Sequence, residues 1–213
     1  MIEIIGFTSL ALISLITLII ALRWPGISNI LFVGLAIRIF FLLIGHYIVS
    51  LPDSTADAVT FENVAWSLGK EGFFNVIDNY YGPNSRFISW LIAIPYSLFG
   101  RSLIMAKSIS LLFGIGSIFL GWKIAKLIWD ENTANKVGWV IALFPSLILY
   151  SVLIMREVYI CFFVLVALYG IVGWVKTDSF KSIVITITGF IGATFFHGAM
   201  FVGIFIFLVI LKI

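Results

Sequence analysis

Three short stretches hold the residues best suited to chemistry. The first is the acidic run PDSTADAVTFE, residues 52–62, in which Asp53, Asp57 and Glu62 follow an apolar segment. Ser54, with Asp57 three residues on, resembles a capping box. That start places Asp57 in a first helical turn, where free backbone N–H groups and the helix dipole favour a carboxylate and suit it to act as a base or metal ligand. An Asp at a helix N-terminus is also commonly only a cap, and spacing leaves both readings open. The second is Arg156–Glu157, set between two apolar runs with almost no loop around it. Charges so close to hydrocarbon belong either in a polar cavity or in a headgroup-level turn. The third is His197 in TFFHGAMF, which could meet a phosphate or carboxylate, with a satisfied buried histidine as the default.

Other residues could bind rather than react. Lys70, Arg86, Arg101 and Lys107 fall near the ends of apolar pieces, where they could hold lipid phosphates or simply snorkel. Tyr80, Tyr81, Trp90 and Tyr96 cluster in the same region and suit an interfacial belt or stacking on a sugar. The net charge of +3 is spread along the chain, which speaks against a nucleic-acid partner. Cys161 is the single cysteine, so an intramolecular disulfide is excluded. No His/Cys metal cluster, glycine-rich phosphate loop or nucleophile elbow occurs in the sequence, and soluble nucleotide enzymes lose their support.

The elements that must position these residues are membrane helices. Of 213 residues, 62% are hydrophobic and 11% charged, with apolar runs that leave no face for water. The expected fold is an all-α polytopic membrane protein forming a single transmembrane domain over 1–213. Spans are expected over 4–22, 28–50, 102–122, 137–153, 158–175 and 182–213, the last too long for one straight crossing and turning near His197 and Gly198. This gives about five or six crossings at roughly 20 residues each. Arg38 and His46 lie within the second span and should face protein or water, or snorkel. Residues 51–101 interrupt the pattern with an amphipathic helix over about 54–70, whose stripe is Ala58, Phe61, Ala65 and Leu68 and whose stop is Gly72, and a short apolar piece over 87–99. Lys123, Lys126 and Lys136, with Lys176 and Lys181, fall on one side by alternate crossings, which the positive-inside rule makes cytoplasmic. Residues 51–101 then form an outer loop holding Asp53, Asp57, Glu62, Glu71 and Asp78, half of the ten acids, and the N-terminus is outside too.

In this order of parts the chain resembles the GT-C membrane glycosyltransferases, in the branch of protein mannosyltransferases and the lipid A aminoarabinose transferase. The likeness rests on DAVTFENVAWSLGKEGF opening the outer loop, a short apolar piece ending LFG, a span, a basic loop, and then FPSLILYSVLIMRE. It covers nearly everything after about residue 35, with the first span as an addition. Members of that family are longer, and the chain stops inside an apolar run at Ile213, so the expectation is the front part of a longer protein. The resemblance implies transfer of a sugar from a polyprenyl-phosphate donor to a lipid, glycan or protein acceptor on the outer face of a bacterial plasma membrane. Asp57 would be the general base and Glu157, after Pro145, the second acid, positioning the acceptor or a divalent cation. Arg156 would neutralise the phosphate leaving group. Asp53 and Glu62 are reserves, and His197 and Arg86 complete the substrate-binding set.

Two further classes compete. A transporter or lipid flippase would line one continuous cavity with Arg38, His46, Arg156 and Glu157. A non-catalytic membrane subunit of a glycan-assembly complex would suit the short length.

Overall fold

The computed structural model describes residues 2–80 and 82–210; Tyr81 of the aromatic cluster and the end at Ile213 lie outside the described residues. The elements are α1 (Ile2–Arg23), α2 (Ser28–Tyr47), α3 (Asp57–Gly69), α4 (Phe73–Asp78), α5 (Phe87–Phe99), α6 (Leu103–Ile128), α7 (Glu131–Leu143), α8 (Pro145–Ser151), α9 (Glu157–Thr177), α10 (Phe180–Phe196) and α11 (Phe201–Ile210), with no strand among the described residues. Four helices, α1, α2 with its preceding turn, α6 and α9, are long and apolar enough to cross a membrane, and a fifth crossing is made if α7 and α8 count as one bent span. The chain is therefore an all-α polytopic integral membrane protein.

Two expected spans take a different form. The crossing expected over 137–153 is broken: α7 and α8 meet at a bend of 60°. Pro145 is the first residue of α8 and has no N–H to give the carbonyl four residues back, so the α7 ladder ends at Leu143. Past α8, residues 152–155 are buried without helical structure. Irregular backbone at this depth is tolerated only where protein or a cavity surrounds it. The apolar run from 182 also breaks, at His197–Gly198 as expected, but α10 and α11 are then 17 and 10 residues long. At 17 residues α10 rises about 26 Å, the short end of what crosses a bilayer.

Lys123, Lys126 and Lys176 gather at one end of the bundle. The helix α6 runs to Ile128, so Lys123 and Lys126 occupy its last turns and not a loop. Lys123 lies 4.7 Å from the Trp24 ring, Lys126 pairs with Glu131 at 2.8 Å, and Lys176 at the end of α9 donates to the Leu127 carbonyl. Nearby, α9 and α10 pack along each other as a close hairpin. A Cβ on Gly189 would strike the backbone of Ala167, which shows how near the two helices approach.

The opposite end carries a platform, α3–α5. The stripe Ala58, Phe61, Ala65 and Leu68 is buried as expected and packs α3 on α5. The capping box is corrected: α3 starts at Asp57, Ala56 precedes it, and no side chain caps it. Ser54 lies in a turn in which its N–H donates to the Leu51 carbonyl at 3.2 Å. Gly72, at φ +100°, makes the left-handed corner between α3 and α4.

Candidate functional site

Where the platform meets the bundle, a cleft of about 530 Å³ lies between the end of α2, one face of α3 and the start of α6. Its polar lining is His46 and Ser50, then Ser54, Thr55, Glu62 and Asn63, then Arg101 and Lys107, while Leu153 and Ile154 of the non-helical segment contribute an apolar wall. These groups come together because α2, α3 and α6 all end or begin at this level. Lys107, His46 and the Arg101–Glu62 pair share one concave surface with hydroxyls and an amide, an arrangement rich in hydrogen-bond donors.

Glu62 is the fixed point of the cleft. It is only 4% exposed, because it shares the buried side of α3 with Phe61 and Ala65. Arg101 grips it with two bonds, Nε to Oε1 at 2.9 Å and Nη2 to Oε2 at 2.5 Å, and the Tyr96 hydroxyl donates to Oε1 at 2.9 Å. Arg101 also donates to Asn63 Oδ1 at 3.0 Å and lies 5.8 Å from the Trp66 ring. The hydrogen bonds to Glu62, with the charge of that carboxylate, raise the Arg101 pKa above its ordinary value. Burial, followed by the charge and hydrogen bond of Glu62, raises that of Tyr96. With both oxygens engaged, Glu62 locks α3 to α5 and to the start of α6, a positioning role.

A second polar centre surrounds the broken helix. Arg38 on α2 is fully buried, and its Nη1 donates to the carbonyls of Ala142 at 2.9 Å and Gly34 at 3.1 Å, while Nη2 reaches Ile141 at 3.4 Å. Ile141 and Ala142 belong to the last turn of α7, whose carbonyls lose their ladder partners at the Pro145 break. A guanidinium at a helix C-terminus satisfies them and complements the dipole. Glu157, the first residue of α9, faces two ways. Oε1 approaches Arg156 at 3.6 Å, Oε2 is shut off from the surface with no hydrogen-bond partner among the described residues, and the residue lines a cavity of about 40 Å³ with Arg38 and Tyr150.

The remaining candidates are scattered. Asp57 is exposed at the first position of α3, between the cleft-lining Thr55 and Ala58 in sequence. The acid of the 52–62 run that connects toward Glu157 is Asp53. Its Oδ2 accepts the Tyr150 hydroxyl at 3.1 Å from a left-handed backbone position, φ 59°. Arg86 is exposed before α5, and His197 is exposed after α10, which corrects the buried default. Both belong to the platform end: Phe87 stacks with Trp90 at 5.6 Å and meets Phe196 at 5.1 Å. Among the described residues no three carboxylates, histidines or cysteines gather as a metal centre would.

The sequence pointed to Arg38 and His46 as costly but could not assign them neighbours. It gave Tyr150 no role at all, although a hydroxyl five residues after a proline break and seven before an acid was the available signal. Arg38 and Glu157 share the small cavity, while His46 lines the large cleft. No protein-family model, curated protein or solved structure matches the chain.

Proposed function

We propose that the chain acts in sugar transfer from a polyprenyl-phosphate donor, in the manner of GT-C glycosyltransferases, at the outer face of a plasma membrane. The observation that carries the reading is the cleft where membrane helices meet the platform, which joins His46, Arg101 and Lys107 to the hydroxyls of Ser50, Ser54 and Thr55. A polyprenyl phosphate presents its charge at this level while its tail stays in hydrocarbon, so a cationic cleft beside apolar helices matches both halves of such a molecule. Lys107 is the free cation of the set in this scheme, since Arg101 is engaged by Glu62.

Asp57 at the start of α3 is the proposed base, taking the acceptor hydroxyl's proton as that oxygen attacks the anomeric carbon and the phosphate leaves. Glu157 positions the acceptor, and Arg156 neutralises the phosphate leaving group. The test is transfer of radiolabelled sugar from a polyprenyl-phosphate donor by the purified chain in lipid vesicles. Asp57→Asn should abolish turnover with unchanged insertion, and Lys107→Gln should raise KM for the donor. Full transfer by Asp57→Asn would remove the assignment.

A further inference from the structure

We propose that the cavity between α2, α6, α8 and α9 is a water site, in which ordered water joins the Arg38 guanidinium to the Glu157 carboxylate as a solvent-bridged ion pair. The inference stands independently of sugar transfer. It begins with two atoms: Arg38 Nε and Glu157 Oε2 are both shut off from the surface, and neither has a hydrogen-bond partner among the described residues. Both residues line the same cavity, with Gly114, Ser117, Tyr150 and Cys161. One atom carries a donor hydrogen and the other accepts, so the two needs are complementary.

The chemistry of the site selects its occupant. A metal cation is repelled by the guanidinium, and an anion by the carboxylate. Water alone accepts from Nε–H and donates to Oε2 at once. At about 40 Å³ the cavity has room for one or two water molecules, because a site needs about 10–15 Å³ to hold one. The Ser117 hydroxyl gives its hydrogen to the Phe113 carbonyl at 2.9 Å and also meets the Cys161 thiol, which leaves one lone pair as a further partner. A bound water needs two to four polar neighbours, and these three supply them.

Charge gives a second reason. The three carbonyls on Arg38 offer dipoles but no net charge, and a fully buried cation calls for an anion nearby. Glu157 is the acid that lines this cavity, and its outward oxygen already faces Arg156. One carboxylate therefore lies between two guanidinium groups, half-exposed Arg156 and buried Arg38. The bridge ties the N-terminus of α9 to the helix break that Arg38 caps.

Thermal unfolding of the whole chain in lipid nanodiscs tests this with three variants that leave Arg38 in place. If Glu157 serves only Arg156, then Glu157→Gln and Arg156→Gln remove the same pair and lower Tm equally. The water-bridged pair requires Glu157→Gln to cause about twice the loss of Arg156→Gln or more, because it also strips a buried cation of its counter-charge. Equal losses overturn the pairing. Ser117→Val reads the water itself, since it fills space and removes one polar partner. Tm should fall as the water is displaced, whereas a rise would mark a dry void and overturn the water site.

Discussion

Arg38, between α2 and the end of α7, places its Nη donors on peptide carbonyls, whereas Arg101, where the platform meets α6, places its donors on a carboxylate and a side-chain amide. The first guanidinium is fully buried and the second has a side chain 41% exposed. The difference shows which partner each region depends on. At the helix break the cation matters most, because the Ile141 and Ala142 carbonyls have lost their ladder donors at the Pro145 break and take hydrogen bonds from Arg38 instead. At the platform the buried member is Glu62, and Arg101 can hydrate when that acid is lost. One region is organised around a buried positive charge and the other around a buried negative one.

The comparison breaks most visibly at Arg38. Arg38→Met strands the α7 carbonyls, each costing about 1–3 kcal/mol when buried and unsatisfied, so a total loss of about 3 kcal/mol or more is expected. Reduced yield and a lowered Tm of the chain in nanodiscs would register it. Arg38→Lys should recover only part, since a point charge cannot fork across several carbonyls. A neutral Arg38→Met would mean that the break at Pro145 holds without a cap.

Arg101→Gln comes next, at about 2 kcal/mol. Breaking a buried pair costs about 3–5 kcal/mol, but the exposure of Arg101 reduces that figure through solvent screening. Glu62→Gln should cost less than Arg101→Gln, because the charge it releases reaches water and the one Arg101→Gln leaves behind does not. Chemical denaturation of the two variants side by side gives the order, and the reverse order would contradict the burial argument.

Tyr96→Phe is smaller again, about 1.5 kcal/mol for one hydrogen bond to a charged group. It also carries a pH signature. Burial, with the Glu62 charge and hydrogen bond, holds the Tyr96 phenol neutral above its ordinary pKa of 10.0. The folded value is raised, so the associated stability is complete below pH 10.0 and is lost as pH climbs beyond it. Thermal scans through the alkaline range should show that decline in the wild-type chain and a weaker one in Tyr96→Phe.

Much of the architecture was legible because apolar length and proline are local signals. The platform helix 87–99, the turn at His197–Gly198 and the stripe on α3 all follow from spacing. The broken span was not legible: 137–153 has the hydropathy of a crossing, and only Pro145 hinted at the 60° bend. The start of α3 was misplaced for a similar reason, since Ser54 and Asp57 have capping-box spacing but a turn through Leu51–Ala56 uses Ser54 elsewhere. Long-range pairs were the least accessible. Glu62 meets Arg101 across 39 positions and Arg38 meets Ala142 across 104, distances at which a single sequence gives no signal of contact.

The weakest expected effect serves as the control for the whole comparison. Lys126 and Glu131 form an ion pair at 2.8 Å whose side chains are 44% and 51% exposed, so it has the chemistry of the Arg101–Glu62 pair without the burial. An exposed pair contributes about 0–1 kcal/mol. Lys126→Gln should therefore lower Tm little. Even that loss should vanish in about 1 M salt, where the screening length falls to about 3 Å. The Arg101→Gln loss should largely survive the same salt, because the carboxylate it leaves behind is only 4% exposed. If salt erased both losses alike, depth in the protein would not be what separates the two pairs, and the positioning role of Glu62 would reduce to ordinary surface attraction.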